Sequence, residues 1–436
     1  MSVQPLLKGK KRQPPKARDE QAGIGQTAWH LFDVFGVELE YMIVDRKTLA
    51  VRPDADKILG YAGGEGASEV EFAETAWSNE LVLHVLEMKT VQPRGSLLAL
   101  DGCFQVDIRR ANEILAAWDA MLMPTSMHPW MDPATETRLW PHAQNEIYEA
   151  YERIFGVKGH GWANVQSTHI NLPFADEDEF VRLHAAIRVI LPLLPALAAS
   201  SPLQDGRLTG LMDNRLMAYS MMQQRVPSVT GRVVPESVRS IDAYHDKILG
   251  KMYREIAPLD PDGVLQHEWL NSRGAIARFD RNAIEIRLLD IQEHPGADVA
   301  IAALVSCLLQ KLVTEKWTTL AKLHKVPGEL LERLLFGAIR DAELTRIWNR
   351  DYLKLFGVTG RDSMTMNELW HHILTQCMQP EELARTGWGT CLKTINEQGT
   401  LARRISNALG ANPNRDRINE VYGKLSKCLE DGVSFL

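Results

Sequence analysis

The sequence predicts an α+β fold, in which antiparallel strands are separated by helices and a helical lobe follows. Three observations predict it. Several short segments alternate apolar and polar residues, as half-buried strands do. Other segments repeat apolar residues every three or four positions, as amphipathic helices do. Beyond Lys325 the strand pattern fades and only short amphipathic helical segments remain.

Four segments are predicted as strands. The segment from Phe32 to Ile43 and the segment Val165–Phe174 place apolar side chains on one face and polar ones on the other. Glu80–Thr90 and Ile276–Ile291 are mainly apolar runs of the kind found in buried strands. Gly60–Gly66 contains four glycines in seven residues and is predicted to be a flexible loop.

Three helices are predicted, two between the strands and one after the last strand. Residues 96–122 repeat apolar side chains at steps of three and four, with Ser96 as the N-cap. Asp176 and Glu179 have the spacing of a capping box at the start of a second helix. A long, mostly buried helix is predicted from Asp298 to about His324.

The chain divides into three predicted parts: a flexible basic tail (1–27), a catalytic domain (28–325) and a helical C-terminal lobe (326–436). The tail carries six basic residues between Lys8 and Arg18. A solvated leader explains them best, and an arm that binds phosphate or a partner is the alternative.

Composition excludes several classes of protein. The 436 residues include 45% hydrophobic and 24% charged residues, which is typical of globular chains and not of disordered, collagen-like or disulfide-rich ones. A net charge of −7 argues against nucleic acid as a partner. Five scattered cysteines, no apolar run long enough for a membrane span and no apolar core of a secretory signal together predict a cytoplasmic protein without a membrane partner.

Polar residues recur at positions i and i+2 of three predicted strands, so that each pair points to one face. The pairs are Glu38 with Glu40, His169 with Asn171, and Glu285 with Arg287. A solvent-facing strand would explain any single pair. Because Glu and Asn are poor strand formers, three such pairs predict one sheet with a polar, functional concave face.

Carboxylates gathered on one face repel each other unless a cation compensates. A single His among carboxylates suits Mg²⁺, or Mn²⁺, better than a structural Zn²⁺ site. Arg287 beside Glu285 would neutralise phosphoryl oxygens. Glu80 and Glu87 are seven residues apart, so a turn or bulge near Glu80 is needed to bring both to this site.

The segment from Ser201 to Arg215 is a predicted loop that offers Arg207, Thr209 and Arg215. Anion binding and an ordinary surface turn are equally good interpretations. The sequence contains neither a GxxxxGK[ST] phosphate loop nor a GxGxxG turn between a strand and a helix. A nucleotide would therefore be bound without a glycine-rich cradle.

Five segments together resemble glutamate–cysteine ligase family 2, the carboxylate–amine ligases. They are FGVELEYMIVD (35–45), LEMKTVQPRG (86–95), STHINLPF (167–174), SSPLQDGRLTGLMDNR (200–215) and AIEIRLLDIQEHP (283–295). The resemblance implies the glutamine-synthetase-like fold, a curved antiparallel sheet that forms a cup with flanking helices. It also implies ATP and Mg²⁺ in that cup.

Site residues follow from the matched motifs. The implied metal ligands are Glu38, Glu40, Glu80, Glu87, His169 and Glu285. We assign catalytic roles to Arg287 and Arg207, and nucleotide binding to Arg215, Thr209 and Asn171. Residues 216–225 and 231–269 depart from the family pattern, and they would shape the substrate pocket.

The leading functional hypothesis is an ATP- and Mg²⁺-dependent ligase that forms an amide through an acyl phosphate, with glutamate and cysteine as candidate substrates. A metal-dependent amide hydrolase is the first alternative, and a non-catalytic nucleotide- or amino-acid-binding protein is the second. All three have small-molecule partners and are compatible with a homo-oligomer.

Overall fold

The structure, a computed structural model, describes residues 29–436 and the backbone of Lys10–Lys11. The other residues of the predicted tail lie outside the described ones. Thirteen strands occur in the described part. They are β1 (Lys10–Lys11), β2 (Gly36–Asp45), β3 (Glu69–Glu71), β4 (Thr75–Asn79), β5 (Val85–Thr90), β6 (Ala120–Met123), β7 (Ser167–Pro173), β8 (Leu203–Gln204), β9 (Arg207–Leu208), β10 (Ala275–Arg278), β11 (Ala283–Asp290), β12 (Arg346–Ile347) and β13 (Met364–Thr365).

One antiparallel sheet of nine strands organises the fold, in the order β1-β3-β4-β5-β2-β7-β11-β10, with β6 also paired to β2. The ten-residue β2 is its centre. Along one edge β2 pairs with β5, and along the other its first half pairs with β7 and its second half with β6. Two small sheets are separate from the nine-stranded sheet. Strands β8 and β9 form a tight hairpin, and β12 and β13 form a short antiparallel ladder.

Nineteen α-helices of the described part surround the sheet. They are α1 (Ala55–Gly63), α2 (Leu100–Ala116), α3 (Pro133–Glu136), α4 (Asn145–Phe155), α5 (His160–Ala163), α6 (Glu177–Ile190), α7 (Pro195–Ala198), α8 (Asn214–Met221), α9 (Ile241–Tyr244), α10 (Gly250–Ile256), α11 (Pro295–Val313), α12 (Leu320–His324), α13 (Gly328–Asp341), α14 (Arg350–Lys354), α15 (Met366–Cys377), α16 (Pro380–Thr386), α17 (Trp388–Gln398), α18 (Leu401–Leu409) and α19 (Arg415–Asp431).

The core lies between the helices and the apolar face of the sheet. Val37, Leu39 and Tyr41 of β2 are fully buried there, because alternate side chains of a strand share a face. Helix α11 contacts α2 and α6, which precede residue 325, and also α15 and α17, which follow it. The boundary between 325 and 326 stays a prediction, and helices on both sides of it contribute to one hydrophobic cluster.

Helix α11 is the one helix of residues 29–436 whose length and apolar composition would suffice to cross a membrane. Core helices of globular proteins pass the same test. In this structure 78% of that stretch is buried inside the molecule. Burial of this kind is what a central core helix needs.

Several predicted elements differ from the observed ones at their ends. The helix predicted over 96–122 ends at Ala116, because Asp119 takes a left-handed conformation (φ 55°) and β6 follows. Its N-cap is Ala99 and not Ser96, whose hydroxyl instead accepts from the amide of Leu98. The first part of the predicted loop at Gly60–Gly66 forms the last turn of α1.

Two predicted long elements are each divided. The strand predicted over Ile276–Ile291 is a hairpin of β10 and β11, whose turn contains Asn282 at a positive φ of 49°. The helix predicted from Asp298 to His324 begins at Pro295 and stops at Val313, and α12 follows after a break. The predicted capping at Asp176 is half confirmed. Its carboxylate accepts from the amide of Glu179, but Glu179 accepts from Ala175 rather than from the N-cap amide.

Candidate active site

The predicted polar pairs lie side by side on one face of the sheet. Directly paired residues of neighbouring strands point to the same face, and the register pairs Glu38 with His169, Glu40 with Glu87, and Glu285 with Asn171. Strands β5, β2, β7 and β11 are consecutive in the sheet. The prediction of one polar face built from three strand segments is therefore confirmed.

A first cluster contains Glu38, His169 and Glu285, whose potential ligand atoms lie within 4.8 Å of one another. His169 Nδ1 lies 2.9 Å from Glu38 Oε2 and 3.6 Å from Glu285 Oε1. Asn171 donates to the other oxygen of Glu38 at 3.0 Å. Burial raises the pKa of Glu38, but the hydrogen bond and charge of His169 outweigh it and leave the pKa below its ordinary value.

A second cluster contains Glu40, Glu80 and Glu87, again with potential ligand atoms within 4.8 Å. Glu40 Oε2 accepts from the amide (2.7 Å) and the hydroxyl (3.0 Å) of Ser167. Ser78 donates to Glu87 at 2.5 Å. Glu80 reaches the cluster because β4 ends at Asn79 and β5 begins at Val85, which supplies the turn that its spacing required.

The second cluster carries more negative charge than its surroundings compensate. Burial raises the pKa of Glu40 above its ordinary value. Burial raises the pKa of Glu80 well above its ordinary value too, and the charges of Glu40 and Glu87 add to the effect. A divalent cation would relieve this repulsion. Five carboxylates and one imidazole are a donor set that Mg²⁺ or Mn²⁺ accepts.

Arginine side chains lie beside the first cluster. Arg287 Nε lies 3.0 Å from Glu285 Oε1, and Arg278 Nη1 lies 3.3 Å from Glu285 Oε2. Burial lowers the pKa of Arg287, but Glu285 outweighs burial and raises it, so Arg287 stays charged. Arg287 therefore offers a fixed positive charge next to the carboxylates.

The loop residues lie in other surroundings. Arg207 is exposed in β9, and the hydroxyl of Thr209 donates to Asn214 at 2.8 Å. In the hydrogen bonds and ion pairs of residues 29–436, neither side chain contacts the two carboxylate clusters. Arg215 is 2% exposed and donates to the backbone carbonyl of Arg287 at 2.9 Å. The catalytic role of Arg207 and the nucleotide contact of Thr209 remain predictions. The guanidinium of Arg215 contacts backbone carbonyls and Asp290 inside the protein, so these contacts do not support the predicted nucleotide binding by Arg215.

Sequence reasoning missed two features of the site. Lys89 Nζ lies 3.0 Å from Glu87 and 3.0 Å from Glu69, and the i, i+2 spacing of Glu87 and Lys89 was a usable signal. On α4, Tyr148 accepts a hydrogen bond from Asn79 at 3.1 Å, next to Glu80. No sequence motif identified α4 as part of the site, because its contact with β4 exists only in the folded chain.

Fold and site together define a class of protein, the glutamate–cysteine ligase family 2. The sequence model of that family matches residues 34–378, and the chain belongs to this family. The resemblance seen in the sequence is thereby confirmed, and so is the glutamine-synthetase-like fold class.

Particular relatives place the chain within the family. An uncharacterised protein of Archaeoglobus fulgidus is 31% identical over 404 residues, which cover 92% of this chain and all of the relative. A protein of Rubrobacter xylanophilus, provisionally named glutamate–cysteine ligase 2-3, is 25% identical over 68% of this chain and 77% of its own length.

Solved structures share the fold at low sequence identity. The glutamate–cysteine ligase of Francisella tularensis in complex with AMP is similar with a TM-score of 0.59 and 13% identity, covering 91% of this chain and 89% of that one. A bifunctional glutathione synthetase of Pasteurella multocida has a TM-score of 0.51 and 15% identity, covering 91% of this chain and 52% of that one.

Proposed function

We propose that this protein is an ATP- and Mg²⁺-dependent carboxylate–amine ligase that forms a γ-glutamyl-type amide, with glutamate and cysteine as the first substrates to test. One observation carries the proposal. Two largely buried clusters, Glu38–His169–Glu285 and Glu40–Glu80–Glu87, lie beside a charged arginine in a chain of glutamate–cysteine ligase family 2. The AMP bound to the Francisella tularensis ligase supports a nucleotide substrate.

The reaction needs an activated carboxylate, because a carboxylate is a poor electrophile. The γ-phosphoryl group of ATP is transferred to a carboxylate oxygen of the acid, which releases ADP. The amine nitrogen then attacks the acyl carbon, and phosphate and a proton leave as the amide forms. Bound Mg²⁺ would neutralise charge on the phosphates, and the six ligand residues of the two clusters would hold it.

The chain's own residues mainly position the reacting groups and neutralise their charge. Arg287 supplies a fixed charge for the phosphoryl oxygens as negative charge develops. Asn171 orients Glu38 by donating to one oxygen, so that the other oxygen faces His169. At the Glu80–Glu87 end, Lys89 partly neutralises Glu87, and Tyr148 accepts a hydrogen bond from Asn79 beside Glu80. Arg207 would take part in catalysis, and Thr209 would contact the nucleotide.

The test is a reconstitution with purified protein, ATP, Mg²⁺, glutamate and a panel of amines that includes cysteine. ADP release and product mass are followed, and hydroxylamine traps an acyl phosphate as a hydroxamate. ADP release that needs both acid and amine supports the ligase. Amide cleavage without ATP supports the hydrolase, and nucleotide binding without turnover supports a binding protein.

Matched variants separate the site from the fold. Glu38→Gln removes one charge from the first cluster, and Glu381→Gln removes one from an exposed position on α16. We expect turnover to disappear in the first variant and to persist in the second. Equal turnover in both would place the reaction elsewhere.

A further inference from the structure

Strand β11 contains a β-bulge at the position of the proposed catalytic arginine. Its pairing with β7 runs Ile286 with Ile170 and then Leu289 with Thr168, so that three steps on β11 match two on β7. Arg287 and Leu288 therefore lie opposite the single residue His169. A bulge of this kind re-aims a side chain and is common beside active sites.

Arg215 of α8 holds this bulge from behind. Its guanidinium donates to the carbonyl of Arg287 at 2.9 Å and to that of Leu288 at 3.4 Å. It also lies 3.4 Å from Asp290, at the end of the same strand. The side chain is 2% exposed, and these contacts are all made within the protein.

Gly274 of the neighbouring segment completes the arrangement. Its carbonyl accepts from the amide of Arg287 at 3.0 Å. A Cβ atom at position 274 would lie only 2.4–2.8 Å from the side chain of Leu288. The bulge is thus held by Gly274 through the amide of Arg287 and by Arg215 through the carbonyls of Arg287 and Leu288.

We infer that Arg215 is a positioning residue that aims Arg287 at the transferred phosphoryl group by clamping the bulge. The inference rests on the proposed function for its catalytic readout. Two donors of one planar guanidinium reach two consecutive carbonyls in a fixed geometry, which the flexible ammonium group of a lysine holds less rigidly. Loss of the clamp would let Arg287 move, and a displacement of about 1 Å can cost about 100-fold in rate.

A second buried arginine provides a matched control. Arg188 of α6 is 4% exposed and donates to the carbonyls of Pro235 (2.8 Å) and Val326 (2.9 Å). Arg215→Met and Arg188→Met therefore each remove a buried arginine and two backbone hydrogen bonds, and Arg215→Met also removes the ion pair with Asp290. Both variants should lose thermal stability, but only the first lies behind the site.

The experiment compares Arg215→Met, Arg215→Lys and Arg188→Met in the full chain. We expect kcat to fall about 100-fold in Arg215→Met with little change in the KM for Mg-ATP, and Arg215→Lys to recover part of the loss. Arg188→Met should keep its kcat although its melting temperature also falls. Equal kcat values in the two methionine variants would overturn the inference.

A structural readout judges the inference separately from the proposed function. If the wild type turns over no substrate of the panel, the proposed function fails, and crystal structures of the variants then decide. We expect Arg215→Met to lose the bulge register or to displace the Arg287 guanidinium, and Arg188→Met to retain both. An unchanged bulge and unchanged Arg287 in Arg215→Met would refute the clamp.

Discussion

Adding Mg²⁺ should stabilise the wild-type protein, and Glu80→Gln should remove most of that effect. The reason is the buried repulsion among Glu40, Glu80 and Glu87, which raises the pKa of Glu80 well above its ordinary value. A bound dication would convert that repulsion into attraction. Glu80→Gln should therefore stabilise the protein without metal and weaken the stabilisation that bound Mg²⁺ provides.

The size of the effect follows from mass action. A ligand at 100 times its Kd stabilises the native state by about 2.7 kcal/mol. Unfolding entropy is about 2.1 cal/mol/K per residue, which gives roughly 0.9 kcal/mol per degree for 436 residues. The melting temperature of the wild type should thus rise by about 3 °C at that Mg²⁺ concentration.

Thermal unfolding in EDTA and in a Mg²⁺ series measures this shift. Glu80→Gln should melt at or above the wild-type temperature in EDTA at pH 8, because it removes a buried, repelled charge. Glu381→Gln, on exposed α16, should keep the full shift. A full Mg²⁺ shift in Glu80→Gln, or a clear loss of its stability in EDTA, would refute the reasoning.

The stability of wild type and Glu80→Gln should also depend differently on pH. The pKa of Glu80 is raised in the folded state, so the native state binds this proton more tightly than the unfolded state does. Wild-type stability then falls as pH rises through the raised pKa. The advantage of Glu80→Gln in EDTA should accordingly shrink as pH is lowered towards the ordinary pKa of a glutamate.

The remaining predictions concern the site, the bulge and the tail. Glu38→Gln and Arg287→Ala should each abolish turnover while circular dichroism stays that of the wild type, and near-wild-type rates in either would show that the site is misplaced. Gly274→Ala should reduce the free energy of unfolding by about 1–3 kcal/mol, because its Cβ would overlap Leu288, and urea unfolding measures this. Replacing the basic residues between Lys8 and Arg18 should leave turnover unchanged, and a large loss would assign the tail a role in the reaction.

Strand periodicity predicted most of the polar face of the sheet. Glu38 and Glu40 alternate with buried Val37 and Leu39, and a period of two leaves one choice of face. The register that pairs Glu38 with His169 could not be read from either strand alone. It depends on sheet order, which is set by how the strands pack together.

The positions of turns and element ends could not be predicted from the sequence. Glu80 enters the site because of a turn between β4 and β5, which the sequence required but could not locate. Helix α2 stops at Ala116 although apolar spacing continues to Leu122, because Leu122 serves the sheet as part of β6. An apolar residue three or four positions on is compatible with either element.

The bulge lay beyond sequence reasoning. Glu285 and Arg287 were expected on one face of a regular strand, and nothing in AIEIRLLD marks the extra residue opposite His169. Its supports, Arg215 and Gly274, come from other segments of the chain. The position of Lys89 could have been predicted from the sequence, because it follows Glu87 at the same i, i+2 spacing that identified the other pairs.

The central claim is that this site joins a carboxylate to an amine at the expense of ATP. The most direct measurement is the stoichiometry of ADP and amide formed by the purified protein with Mg-ATP, glutamate and cysteine or another amine of the panel. The account predicts one ADP per amide, no ADP when the acid is omitted, and no continuing ADP release beyond about one per enzyme when the amine is omitted. Amide cleavage without ATP, or continuing ADP release that is independent of the amine and yields no amide, would contradict it.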